Sequence, residues 1–274
     1  MASHPSAPSL ETRTSALNPL SPDADLHLPR ILCLHGGGTN SRIFHAQCRS
    51  ISSSLKGHFR LIFAEAPFIS GPGPDVESVY AEWGPFRSWV RPTVAGAIPV
   101  VWGPESVDAE AVNLAISNAI NADDSLGATG RVVGLLGFSQ GARKAACILL
   151  RQQHVNAKQN RGDMHTLMRT TSRIEYKFAV LFAGRGPLVA LGKGHRDGSN
   201  HLVNTEQLQL PTIHVHGRRD PGLSLHQALL HEHCAMNTTR LIEWDGNHRV
   251  PIKNKDVKPV IAAILDTAAA VGLV

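Results

Sequence analysis

The sequence predicts an α/β fold, a mostly parallel central sheet with helices on both faces. Three observations carry that expectation. Short runs rich in Val, Leu and Ile recur without polar alternation, as strands covered on both faces require. Longer segments of helical character separate them, which supplies the crossovers a parallel sheet needs. One run, Arg131-Val-Val-Gly-Leu-Leu136, passes through Gly137-Phe138-Ser139-Gln140-Gly141 straight into Ala142–Leu150, a strand, a sharp turn and a helix.

Taken in order, residues 1–28 are rich in Ser, Pro and Ala and hold no continuous apolar segment. They read as a mobile, disordered tail, and Glu11, Asp23 and Asp25 argue against an organellar transit peptide. A single domain is expected over 29–274. Arg30–His35 is its first strand, ended by Gly36-Gly37-Gly38, and a helix follows over Ser41–Leu55. Phe59–Ala64 is the next strand and breaks at Pro67. Residues 70–105 collect Pro72, Pro74, Pro85, Pro92, Pro99 and Pro104 around Trp83, Phe86, Trp89 and Trp102, which predicts a long ordered loop. A helix over Glu105–Asn121 precedes the run at 131–136. A polar stretch, 152–172, reads as a surface excursion. Strands follow at Lys177–Phe182, Thr212–His216 and Arg240–Trp244, and the last helix covers Lys255–Ala270.

Composition bounds the function. The 274 residues are 42% hydrophobic, enough to bury a substantial core. No apolar stretch approaches the roughly 20 residues of a membrane span. The formal charge is +5, yet Lys and Arg are scattered and not interleaved with aromatics, which argues against a nucleic-acid face. Cys33, Cys48, Cys147 and Cys234 show no CxxC spacing; Cys33, in a strand, and Cys147, in the helix after Ser139, are expected to be buried thiols, and the protein to be reduced and cytoplasmic. The chain has no HExxH and no GxGxxG, so the chemistry should need neither a metal nor a nucleotide cofactor.

In a parallel sheet, functional groups gather at the carboxyl ends of the strands. Ser139 stands at one such end. It could cap the helix that follows, but a serine between glycines at this junction has the form of an activated nucleophile. Asp220 follows the strand at 212–216 and His248 follows the strand at 240–244, so the chain order is Ser, Asp, His, the order of α/β-hydrolases. His248 would take the serine proton and Asp220 would orient the imidazole, with Asp245 and Asp197 as competing acids. The backbone N–H groups of Gln140 and Gly37 are the expected oxyanion donors, and His35 would organise the glycine turn. Trp83, Phe86 and Trp89 give apolar area for an acyl pocket, or else pin the proline-rich loop to the body.

At these residues the chain resembles the FSH-type serine hydrolases. The segments are Ile31-Leu-Cys-Leu-His-Gly36, Ala64-Glu-Ala-Pro67, Gly137-Phe-Ser-Gln-Gly141, His216-Gly-Arg-Arg-Asp220 and Gly246-Asn-His248. The resemblance runs from about residue 29 to the C-terminus. It implies an α/β-hydrolase fold and cleavage of esters or thioesters through an acyl-enzyme. Trp83-Gly-Pro-Phe-Arg-Ser-Trp89 is similar to a fungal subset whose members release polyketide products from an acyl carrier protein. An acyl carrier domain is therefore the partner the resemblance implies, with Arg42, Arg87 and Arg218 as candidate contacts. The family often has one glycine after His-Gly, whereas this chain has two, Gly37 and Gly38, and then Thr39, which leaves the second oxyanion donor open. Two other readings stand beside this one: a free-standing carboxylesterase, and a hydrolase fold used only to bind ligand.

Overall fold

The computed structural model describes residues 25–91, 105–160, 174–188 and 206–273. Six parallel strands form the main sheet: β1 (Arg30–Leu34), β2 (Arg60–Ala64), β5 (Val132–Phe138), β6 (Ile174–Phe182), β7 (Thr212–Gly217) and β8 (Thr239–Trp244), in the order β2-β1-β5-β6-β7-β8. The chain steps outward from β1 to β2, then returns to the other side of β1 as β5. That reversal opens a crevice above the carboxyl ends of β1 and β5, where a ligand site is expected in such sheets.

The layers follow from the two-residue period of a strand. Leu32 and Leu34 of β1 enter a core with Val112 and Ile116 of α4 (Glu105–Ser125) and with Ala145 and Leu149 of α5 (Gln140–Asn160). Ile31 and Cys33 point the other way, toward Phe44 of α1 (Ser41–Gln47), Ile51 of α2 (Arg49–Leu55) and Ile264 of α7 (Asn254–Ala270). All seven residues of β5 are buried, so this strand has no polar face. Each fully buried Leu, Ile or Phe contributes about 2 kcal/mol of transfer free energy.

Several elements depart from the sequence expectations. The helix expected over 41–55 breaks at Cys48, whose ψ of 5° takes it out of helical geometry. The helix after Ser139 does not stop at Leu150 but runs to Asn160, so the surface excursion expected at 152–172 is helix over 152–160; residues 161–173 lie outside the described ones. The helix α6 (Leu223–His233) was not anticipated. The proline-rich loop carries a small antiparallel pair, β3 (Phe68–Ser70) with β4 (Phe86–Ser88), and a short helix α3 (Glu77–Tyr80) between them. Residues 92–104, with Trp102, lie outside the described ones, as do residues 1–24 of the expected tail.

One buried charge ties the lower end of the sheet together. Arg30 has no exposed surface; its guanidinium contacts Asp123 at 3.2 Å and Asp124 at 2.6 Å, and its Nε–H donates to the Gly130 carbonyl at 2.7 Å. Asp123 also receives Arg60 of β2 at 2.6 Å. The carboxyl end of α4 is thereby fastened to β1 and β2. Without Asp123 the buried Arg30 keeps only the partly exposed Asp124, and Arg60 loses its carboxylate. Asp123→Ala should therefore lower unfolding free energy by about 2 kcal/mol, read as a shifted midpoint in urea with little change of slope.

Candidate active site

Ser139 sits between β5 and α5 with φ of 52°, a left-handed conformation that costs a non-glycine residue about 1–3 kcal/mol. Its backbone N–H donates to the Phe182 carbonyl of β6 at 2.8 Å, which holds the strained residue in place. The flanking glycines are required by close approach. A Cβ on Gly141 would lie 2.0 Å from the Leu34 carbonyl oxygen, and one on Gly137 would lie 2.5 Å from the Gly141 carbonyl oxygen. The helix can begin only because nothing projects from those positions.

The structure brings Ser139, His248 and Asp220 together. His248 Nε2 lies 3.0 Å from Ser139 Oγ, and His248 Nδ1 lies 2.7 Å from Asp220 Oδ2. Asp220 Oδ1 accepts the Gly222 N–H at 2.8 Å. Two glycines let the supporting loops meet: a Cβ on Gly217 would lie 2.5 Å from the Asn247 carbonyl oxygen, and one on Gly246 would enter the Trp244 ring. The Asp220 side chain is buried, whereas about a third of the His248 side chain (32%) is exposed and open to a substrate. Burial pushes the Asp220 carboxyl up, but the Gly222 N–H, His248 and His226 outweigh it and hold the group below the usual carboxylate range. Of the competing acids, Asp245 pairs with the exposed Arg219 at 3.1 Å, and Asp197 lies outside the described residues.

The glycine turn after β1 is organised by His35. Its Nε2 accepts the Ala66 N–H at 3.0 Å, so the proton resides on Nδ1, which faces the Gly36 carbonyl at 2.8 Å. The Gly38 N–H donates to the Arg87 carbonyl at 2.9 Å and is spoken for, while a Cβ on Gly37 would meet the Gln140 side chain at 3.1 Å. Gln140, as the first residue of α5, has a backbone N–H with no acceptor inside the helix. Its side-chain Oε1 accepts the Trp89 N–H at 2.6 Å and the Ser88 hydroxyl at 3.1 Å.

Three expected side chains take positions that limit their roles. Trp89 has no exposed surface, lies in the core and donates its indole N–H to the His35 carbonyl at 2.8 Å; it pins the segment to the body and forms no open pocket wall. Trp83 and Phe86 are half-buried, and the Arg42 guanidinium stacks over the Trp83 ring at 4.1 Å. Arg87 is tied into the fold by its backbone pairing with Thr39 and by contacts to the Ala66 and Pro67 carbonyls, so it is less free than a docking residue should be. Arg42 and Arg218 are exposed.

The sequence reading missed His226, fully buried on the first turns of α6, whose Nε2 lies 3.0 Å from Asp220 Oδ2. Its signal was its place six residues after Asp220 on a helix that was not anticipated. Asp220, His226 and His248 offer nitrogen and oxygen atoms within 4.8 Å of one another. The spacings of 2.7 Å and 3.0 Å to one oxygen are shorter than the separations of ligands around a zinc ion bound at about 2.0–2.2 Å. Further back, His214 and His216 of β7 are buried as well.

The profile of the family described as "Serine hydrolase (FSH1)" matches residues 25–260. The chain belongs to this serine hydrolase family. A "Probable esterase" from Aspergillus terreus is 52% identical over 247 residues, covering 90% of this hydrolase and 92% of that protein. "Esterase pigG" from Monascus ruber is 44% identical, covering 93% and 97%. "Probable esterase afoC" from Emericella nidulans is 49% identical, covering 87% and 90%. Among solved structures, esterase PE8 superposes with a TM-score of 0.51 at 17% identity, over 88% of this chain and 93% of that one, a likeness of fold. The serine hydrolase thus has the α/β-hydrolase architecture, and among its described residues no helix is long and apolar enough to cross a membrane.

The buried histidines set a pH dependence. Burial first, then neighbouring histidines, lower His214 to about 3; burial and then His226 lower His216 to about 4, against an opposing pull from Asp220. Both values lie below the unfolded value of about 6.5. As pH falls below that value the unfolded chain binds protons that the folded one refuses, so stability is lost toward acid. Between pH 7.5 and 5 the loss should reach about 4 kcal/mol, measured as a fall in denaturation midpoint. His216→Gln should remove roughly half of that pH dependence.

Proposed function

We propose that this serine hydrolase cleaves acyl thioesters or esters through an acyl-enzyme on Ser139, and that its working substrate is a polyketide acyl chain presented by an acyl carrier domain. The observation that carries the chemistry is the continuous path from Ser139 Oγ to His248 Nε2 at 3.0 Å and from His248 Nδ1 to Asp220 at 2.7 Å. Asp220 accepts the Nδ1 proton, which leaves the Nε2 lone pair facing the serine hydroxyl. As Ser139 Oγ attacks the substrate carbonyl carbon, its proton passes to His248 Nε2, and the imidazolium is stabilised by Asp220. The backbone N–H groups of Gln140 and Gly37 receive the developing oxyanion; the engagement of Gly38 with Arg87 favours Gly37 as the second donor. The tetrahedral adduct collapses, the thiol or alcohol leaves with the proton from His248, and the acyl group remains on Ser139. Water then attacks, deprotonated by the same nitrogen, and the acid is released with Ser139 restored.

The esterase names borne by the relatives support the reaction class. The Trp83–Trp89 segment and the net charge of +5 support a carrier domain, which is acidic and carries its acyl group on a long arm. Half-buried Trp83 and Phe86 would receive the acyl chain. All four cysteines are free and buried, as suits a reducing cytoplasm. A free-standing carboxylesterase is the second reading, favoured by those same printed names.

Ser139→Ala and His248→Ala should each lower kcat by about a thousandfold or more, and the double variant should be little worse than either. Asp220→Asn should be severe with some activity left. Fluorophosphonate labelling should require Ser139, and turnover should survive EDTA and dialysis. A folded Ser139→Ala variant keeping a tenth of the rate, a loss of about 1.4 kcal/mol, would sink the nucleophile assignment.

The carrier partner has its own measurement. Turnover of an acyl-carrier thioester should fall between low and high salt while a small free thioester responds little, because complementary charge mainly speeds encounter. Arg218→Glu should reproduce the selective loss without touching the site. Equal responses from both substrates would leave the free-standing esterase as the better description.

A further inference from the structure

His226 has one nitrogen that the fold accounts for and one that it does not. Its Nδ1 lies 2.9 Å from the Gly184 carbonyl oxygen at the end of β6, and a carbonyl only accepts, so the proton of the neutral ring stands there. Burial holds the imidazole below its usual range, which keeps the ring neutral at neutral pH. Nε2 therefore carries a lone pair. It is buried, has no hydrogen-bond partner, and lies 3.0 Å from Asp220 Oδ2. Two acceptors that close repel each other unless a cation stands between them. Elsewhere α6 fills the core with leucines, Leu229 and Leu230 among them, and packing alone would be served by another.

The lone pair is aimed beside Oδ2 and not at it, since the contact is short yet does not make an aligned hydrogen bond. Two ligands of one ion stand in this way, each facing the metal and neither facing the other. A third donor is at hand. His248 Nδ1 lies 2.7 Å from the same oxygen, and the donor atoms of Asp220, His226 and His248 all fall within 4.8 Å of one another. The carbonyl that fixes His226 Nδ1 is the support a metal-ligating histidine ordinarily has. We propose that these three side chains form a site for a divalent ion of the zinc type, and that its binding switches the hydrolase off.

The donor chemistry selects the ion. Two imidazoles and a carboxylate are a set that zinc takes, with water in its fourth position, whereas magnesium and calcium prefer oxygen ligands. Zinc ligands stand somewhat further apart than 2.7 Å and 3.0 Å, so the rings must open by a few tenths of an ångström. His226 is fully enclosed and the Asp220 side chain nearly so. The ring that gives is His248, carried on the loop after β8, with about a third of its side chain (32%) exposed. Its ring lies 5.9 Å from that of His226 at an interplanar angle of 27°, and the ion enters from its side.

Loss of activity follows from the tautomer. A neutral imidazole has one proton. In the working site it stands on His248 Nδ1, facing Asp220, and Nε2 offers its lone pair to Ser139 Oγ at 3.0 Å. An ion at Nδ1 needs a lone pair on that nitrogen, so the proton passes by way of solvent to Nε2, with none released overall. Nε2 then donates to the serine hydroxyl where it should accept, and the base is gone. The glycine turn and the space for the acyl group are untouched, so substrate still binds: kcat should fall while KM holds.

The switch rests on His248 serving as the base for Ser139, so zinc binding is also read without substrate. Calorimetric titration of the wild type with zinc chloride should saturate a single tight site per chain, and magnesium chloride should not. With a p-nitrophenyl ester, saturating zinc should lower kcat by about a hundredfold or more with KM within about twofold, and EDTA should restore the rate. His226→Leu fills the volume without a nitrogen. It should weaken the tight site by about ten- to a hundredfold and raise the zinc concentration that halves its own rate by the same factor. Zinc held only by exposed histidines would bind both proteins alike. Should His226→Leu fail to fold, the nitrogen NMR spectrum of the wild type decides: zinc should move His226 Nε2 and His248 Nδ1 and turn His248 to the tautomer protonated at Nε2. A wild type untouched by saturating zinc would overturn the proposal, as would equal inhibition of wild type and folded His226→Leu, or unmoved His226 and His248 resonances. If the wild type turns over no ester or thioester, the hydrolytic reading fails, while calorimetry and the nitrogen spectrum still decide the metal site.

Discussion

The contact on which the rest of the structure depends is the crossing of α5 beneath the end of β1, where Gly141 leaves no space for a side chain beside the Leu34 carbonyl. It forces the chain to turn from strand to helix within one residue, and Ser139 takes a left-handed backbone as a result. The turn lifts the hydroxyl above the sheet and aims the unpaired N–H groups of the first turn of α5 at the same space. Because β1 and β5 are adjacent, the glycine turn after β1 arrives there too. The Ser139 hydroxyl and the Gly36–Gly38 turn are thus placed by one backbone approach, and Asp220 and His248 need only be carried in by β7 and β8.

Much of this architecture could be read from the sequence because it depends on local pattern. Fully apolar strands such as Val132–Phe138 and glycines at fixed offsets around Ser139 are signals that survive without tertiary knowledge. What escaped notice depends on distant partners. The break at Cys48 separates two helices that each bury their own residues, and no Gly or Pro marks it. The pairing of Phe68–Ser70 with Phe86–Ser88 joins segments too far apart for a turn signature. The run of α5 past Leu150 was legible and misread: Gln, Ala and Lys favour helix, and polarity alone was taken for a loop.

The site divides along the same line. Ser139, Asp220 and His248 follow strands directly, so the position of each in the chain predicted its position in space. Trp89 was read by composition, as a large apolar side chain near a mouth, and composition does not distinguish a wall from an anchor; its hydrogen bond to His35 decides the matter. His226 could not be placed because its helix was not foreseen. Arg30 is the first residue of the first expected strand, and nothing in the sequence marks it as one of the largest fully buried side chains among the described residues.

Gln140 joins the turn at Ser139 to the proline-rich segment. Its backbone belongs to the turn that carries Ser139, while its side chain accepts from Trp89 and Ser88, in the proline-rich segment. The near end is fastened as well, through Gly73 to Gly38 and through β3 to β4. Between these anchors, residues 74–85 form a span whose ends are locked to the hydrolytic machinery and whose middle is largely exposed. The exposed middle is therefore held at both ends in register with Ser139, and the Gln140 side-chain amide is the joint at one of them.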